Sequence, residues 1–242
     1  MYFNSLLATL IFSSVLAVPV KREAGGIYRS CIQSKQFALT FDDGPSELTW
    51  NLATKLHEEG VQATFFINGK NWVDVEQDSV STPEGVKSYM EVIRHYKDMG
   101  HEIGSHTYEH QVLTGASEEA IRDQMNKESD IIYKAIGERP ALMRPPQGDL
   151  DSTAVKVLGD LGYSIILWDI DTKDWETHDL ASEQEAYKTV FDHEPTKGHI
   201  ALQHEVYAQT VDELVPWILD FVKSKGYTFV PVSQCIGANA YQ

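Results

Sequence analysis

Phe37-Ala38-Leu39-Thr40-Phe41 runs directly into Asp42-Asp43-Gly44-Pro45. An uncharged apolar run ended by a Gly-Pro step reads as a buried strand that stops at a turn. Further candidate strands, short and mostly apolar, lie at 63–67, 102–104, 141–143, 164–168, 200–203 and 228–231, with helical patterns between most of them. Leu48, Leu52 and Leu56 repeat every four residues before Gly60. Ile121, Met125, Ile132 and Ile136 form a second stripe, opened by Ser117 with Glu118-Glu119 behind it and closed by Gly137. Asp151 is placed to cap a third helix, and Thr210 with Glu213 to form a capping box, although Pro216 favours a later start. Strands alternating with helices in this way predict an α/β fold with a parallel sheet. We expect a distorted (β/α) barrel with about seven parallel strands, because the unusual polar residues gather at one place in the pattern. Asp42-Asp43, His106, His110, Arg144, Asp171, Asp174 and His204 all fall at or just past strand C-terminal ends. Those ends share one face of a barrel, and open sheets also bind ligands there.

The ends of the chain carry a different message. Residues 6–18 are apolar and uncharged, and Val15-Leu16-Ala17 offers a small residue for cleavage. At about a dozen residues the run is too short to span a bilayer and fits a secretory signal over 1–17. Lys21-Arg22 then suggests a short propeptide over 18–22, leaving 23–242 as one catalytic domain. Secretion gives Cys31 and Cys235, the two cysteines, a natural reading as a disulfide joining the ends of that domain; two separate buried thiols are the alternative. The formal charge of −16 argues against nucleic acids and anionic membranes as partners. A soluble, extracellular or cell-wall monomer is expected.

Chemistry enters with His106-Thr-Tyr-Glu-His110. Two histidines four residues apart on a helical turn would point the same way, and paired neutral imidazoles suit Zn²⁺. The segment also fits H-x-x-E-H, a zinc-peptidase pattern in which Glu109 would be the base. Asp42-Asp43 favours a different reading. Adjacent carboxylates repel unless a positive charge stands beside them. A metal supplies one: one Asp ligates, the other stays free as a base, and two His with one Asp leave a position open for water.

Taken in order, Thr-Phe-Asp-Asp-Gly-Pro, His-Thr-Tyr-Glu-His, Arg144-Pro145-Pro146, Asp171-Thr-Lys-Asp174-Trp175 and Leu202-Gln203-His204 resemble the five motifs of the polysaccharide deacetylases, carbohydrate esterase family four. The similarity spans residues 36–236. Ala63-Thr-Phe-Phe-Ile-Asn-Gly69 and Gly226-Tyr-Thr-Phe-Val230 are similar to the fungal chitin deacetylase branch. The resemblance implies Asp43, His106 and His110 as ligands to Zn²⁺, with Co²⁺ or another divalent transition metal as alternatives. It implies Asp42 as general base, Arg144 orienting Asp42 and keeping it ionised, and His204 protonating the departing amine. Asp174 would hold His204 as imidazolium, with Asp171 as the alternative partner. Pro146, Gln147, Trp175 and Leu202 would contact the substrate, an acetylated polysaccharide or oligosaccharide of the chitin type. Peptidoglycan, acetylxylan and a non-catalytic sugar-binding role are the alternatives. One departure stands out: Gln147 occupies a place where the family usually has Tyr. Its backbone N–H, the implied oxyanion donor, is retained, but an aromatic wall is lost. His57, His95, His101, His178, His193 and His199 match no motif and read as surface or packing residues.

Overall fold

All seven stretches read as strands from the sequence form strands of one sheet, and two short ones join them. The computed structural model describes residues 26–242; the apolar run, the Lys21-Arg22 pair and the boundaries drawn around them lie outside the described residues. In chain order the strands are β1 (Ile27–Tyr28), β2 (Gln36–Asp42), β3 (Thr64–Ile67), β4 (Ser79–Thr82), β5 (Gly85–Ser88), β6 (Glu102–Ser105), β7 (Leu142–Met143), β8 (Ser164–Ile166), β9 (Ile170–Asp171), β10 (His199–His204) and β11 (Thr228–Phe229). The helices are α1 (Thr49–Glu58), α2 (Tyr89–Asp98), α3 (Glu118–Ile136), α4 (Ser152–Asp160), α5 (Asp174–Thr177), α6 (Leu180–His193), α7 (Val215–Ser224) and α8 (Val232–Ile236).

The strands run in spatial order β1-β8-β7-β6-β3-β2-β10-β9, with β11 also on β2, and every pairing in this nine-stranded sheet is parallel. Among the described residues no ladder joins β1 to β9, so the barrel is open at that seam. The additions to the expected seven are β1 and β9, whose two residues each are too few to show a periodicity. β4 and β5 form a separate antiparallel hairpin.

Burial on both faces explains the uninterrupted apolar strands. Every residue of β2, β3 and β6 is buried. Phe41 stacks on Phe65 across neighbouring strands, and Leu52 and Leu56 of α1 join the same core. Ser117 caps α3 through Ala120 N–H, Gly137 closes it at φ 74°, and Asp151 caps α4 through Ala154 N–H, as the sequence suggests. The capping box at Thr210 does not form. Residues 210–214 make a wide π turn leading into α7, and the Thr210 hydroxyl donates instead to Asp174 Oδ2 at 2.9 Å. Cys31 and Cys235 are disulfide-bonded, tying the segment after β1 to α8.

Candidate active site

β2 delivers the first pair. Asp42 is its last residue, and Asp43 follows in the left-handed region at φ 72°; each carboxylate brings one oxygen to 3.6 Å from His106 Nε2. Asp42 is buried, and its Oδ1 accepts a 2.7 Å bond from Arg144 Nη1. Arg144 follows β7 and is fully buried. The same Nη1 donates to Thr40 Oγ1, Nε donates to the Ile166 carbonyl, and the guanidinium lies over the Phe66 ring. Burial pulls the guanidinium down from its usual value and Asp42 offsets part of that. A guanidinium stays charged even so, and the ion pair fixes Asp42 in orientation.

Asp43 presents Oδ1 to the two histidines of the expected ligand set, 3.6 Å from His106 Nε2 and 3.4 Å from His110 Nε2. The His106 tautomer is set by its other nitrogen, since Nδ1–H donates to the Arg144 carbonyl at 2.7 Å. With Nδ1–H committed to that carbonyl, Nε2 is the nitrogen that faces Asp43 Oδ1. Asp43 Oδ1 is buried without any hydrogen-bond donor. Acceptors gathered in this way need a cation between them. Donors at about 2.0–2.1 Å from one tetrahedral ion stand roughly 3.4 Å apart, so the trio fits a metal. Burial and then neighbouring His106 push His110 below the usual imidazole range, which favours the ligating neutral form. Another trio, Asp169, Glu194 and His199, is of comparable compactness. There Lys197 Nζ already bridges Asp169 and Glu194 at 3.3 and 2.9 Å, so an ammonium takes the cation's place.

The His pair does not sit on a helical turn. Residues 106–110 form a loop in which Thr107 and His110 are left-handed, at φ 67° and 54°. The Asn68 side-chain amide donates to both the His106 and Thr107 carbonyls at 2.7 Å and holds that loop. Glu109 is clasped by Gln124 of α3, outside the cavity, so it is not placed as a peptidase base.

On the other wall, His204 ends β10. Its Nδ1–H donates to Asp174 Oδ1 at 2.7 Å, while its backbone N–H donates to Oδ2 at 2.8 Å. Burial opposes charge on His204, but the hydrogen bond and charge of Asp174, with Asp42 and Asp43 behind them, prevail and push the imidazole up to about 9. The cavity between the two walls has a volume of about 560 Å³.

The sequence profile described as "Polysaccharide deacetylase" matches residues 29–166. A chitin deacetylase of Pestalotiopsis sp is 35% identical over 245 residues, covering 98% of this chain and 78% of that one. The solved structure of the chitin deacetylase from Colletotrichum lindemuthianum superposes with a TM-score of 0.81 at 34% identity, covering 91% of this chain and 97% of that chain. A peptidoglycan-N-acetylglucosamine deacetylase of Bacillus cereus is 30% identical over 203 residues, 81% of this chain and 66% of that protein. The chain belongs to the polysaccharide deacetylase family.

Within this polysaccharide deacetylase the residues singled out from the sequence are distributed unevenly. Asp42, Asp43, His106, His110, Gln147, Trp175, Leu202 and His204 line one cavity. Arg144 and Asp174 stand behind its walls, fully buried. Pro146 is buried beside Gln147 and is not among the lining residues. Asp171 lines the cavity but pairs with the Lys173 backbone rather than with His204. Gln147 is exposed at the rim, in the left-handed region at φ 61°. Two further lining residues, Trp168 and Tyr207, were not anticipated. Trp168 ends a stretch read as a strand, so the strand-end rule that found Arg144 also points to it; Tyr207 lies in the loop after His204 and carries no comparable signal.

Proposed function

We propose that this protein is a secreted, Zn²⁺-dependent hydrolase that removes N-acetyl groups from N-acetylglucosamine polymers or oligomers of the chitin type, releasing acetate. The observation that carries this reading is the donorless Asp43 Oδ1 facing two imidazole nitrogens, with Asp42 and His204 on the same cavity. Asp43, His106 and His110 would hold the metal, and a bound Zn²⁺ supplies Lewis-acid activation of water and carbonyl. Asp42 is the general base: the 2.7 Å bond from Arg144 aims it, and it takes the proton released as water attacks the acetamide carbon. The Gln147 N–H offers a donor to the oxyanion, an interaction worth about 3 kcal/mol of barrier where such donors have been removed. His204, kept protonated by Asp174, passes its proton to the sugar nitrogen so that a neutral amine leaves. Leu202 gives the acetyl methyl an apolar surface, and Trp168, Trp175 and Tyr207 offer flat faces to pyranose rings.

Chitin-type substrate follows from the identity to the two fungal chitin deacetylases, and peptidoglycan is the competing glycan because of the bacterial relative. The disulfide suits an oxidising, extracellular setting. Among the described residues no helix is long and apolar enough to cross a membrane. The deciding experiment measures acetate released from chitin oligomers, peptidoglycan and acetylxylan, with and without chelator. Chelator-sensitive release from chitin oligomers is expected. Release from none of the three with zinc supplied overturns the proposal.

A further inference from the structure

Glu205 is a fully buried carboxylic acid that the chemistry above does not use. It follows His204, yet its side chain turns away from the cavity and packs beneath the Asp43-Gly44-Pro45 turn. Oε2 accepts from Thr49 Oγ1 at 2.6 Å and Oε1 from the Tyr96 hydroxyl at 2.7 Å. Thr49 Oγ1 in turn accepts from Ser46 N–H at 2.8 Å, and Ser46 Oγ donates to the Glu205 carbonyl at 3.1 Å. One side chain thus joins the end of β10 to the start of α1 and to α2.

The contact with the turn is close. A Cβ added to Gly44 would lie 1.7 Å from Glu205 Oε1, so the carboxyl rests directly against the Gly44 backbone. From the other direction the Gly44 carbonyl accepts from Asn68 N–H at 2.9 Å. Asp43, immediately before, is held left-handed with no glycine to ease it. A strained residue keeps such a conformation only where its surroundings over-determine it. Burying a carboxyl is costly, and an apolar side chain would fill space at lower cost. A side chain that packed only for stability would not be expected to be this one.

We propose that Glu205 is a positioning residue for the metal-ligating turn: by bracing Gly44 it sets the Asp43 carboxylate against His106 and His110, so that metal affinity depends on it. The inference rests on Asp43, His106 and His110 being a metal site. The test compares native protein with Glu205→Ala, Glu205→Gln and Tyr96→Phe. Zinc affinity is measured by chelator competition on the folded protein, with thermal unfolding and acetate-release kinetics beside it. Glu205→Ala should weaken zinc by about tenfold or more and lower kcat with KM near native. Glu205→Gln, which keeps the shape and an acceptor, should recover most of the loss. Tyr96→Phe, which removes one hydroxyl from the brace and keeps the ring, should weaken zinc by roughly threefold, on the same reasoning at one remove. If Glu205→Ala does not fold, Tyr96→Phe decides. Reduced melting temperature with native zinc affinity, in Glu205→Ala or failing that in Tyr96→Phe, overturns the inference. Native protein that binds no zinc at all defeats the metal-site reading, a result distinct from native binding left unchanged in the variants.

Discussion

Asp174 grips His204 twice, through the imidazole Nδ1–H at 2.7 Å and the backbone N–H at 2.8 Å, and it accepts the Thr210 hydroxyl as well. The carboxylate is fully buried, so its charge acts on His204 with little screening. With the folded imidazole raised to about 9, the acid form survives through neutral pH. If His204 is the proton donor, activity should persist to about pH 9 and fall above it. The same raised value means that the pairing contributes stability fully below about pH 6.5, lost as pH rises through about 9. Asp174→Asn should move the alkaline limb of kcat down toward the ordinary imidazole range. An alkaline limb left in place would remove His204 from this role.

The proposed metal trio and the proposed base can be separated. His106→Ala removes one of the proposed ligands and should lose both bound zinc and acetate release. Asp42→Asn keeps the shape of a side chain whose oxygen faces Arg144 and whose other oxygen lies 3.6 Å from His106. It should retain zinc by elemental analysis and lose kcat by a factor of about 10² or more, the scale of general-base catalysis. Zinc loss from Asp42→Asn would make Asp42 a ligand instead.

Much of this site was legible because strands of three or more apolar residues announce their own C-terminal ends. Asp42, Arg144 and His204 fall at such ends, and the five-motif resemblance assigned their roles. What stayed hidden was set by contacts distant in sequence. The His106–His110 spacing suggested a helical turn, but Asn68, 38 positions before His106, fixes a loop with two left-handed residues instead. Thr210 looked like a cap and spends its hydroxyl on Asp174, 36 residues away. β1 and β9 are pairs of residues defined only by the strands beside them.

Gln147 tests the importance of a flat wall at the rim. It is exposed, so Tyr can be introduced there without displacing core. The backbone N–H stays in place, and the left-handed φ of 61° strains either side chain similarly. Gln147→Tyr should therefore lower KM for chitin oligomers by about two- to tenfold, the value of one added aromatic contact at 0.5–1.5 kcal/mol, with a smaller change in kcat. Steady-state kinetics on oligomers of defined length provide the check; an unchanged or higher KM would mean that sugar does not reach this wall.

His101 is expected to make the fold sensitive to acid. It is buried below the Phe65 ring edge, its Nδ1 accepting from Ala63 N–H at 3.2 Å and its Nε2–H donating to the Ala53 carbonyl at 2.9 Å. Only the neutral ring can accept at Nδ1; the Nε2–H bond to Ala53 favours the charged form, but burial outweighs it and pulls the pKa down to about 4. A folded value below the unfolded one means that stability is fully present above about pH 6.5 and is lost as pH falls through about 4. Over that window the loss should be on the order of 3 kcal/mol. His101→Gln keeps an acceptor and a donor but cannot take up a proton. Denaturant titrations between pH 7 and 4 should show a steep fall in the native protein and a shallower one in the variant. Parallel profiles would assign the acid sensitivity to other groups.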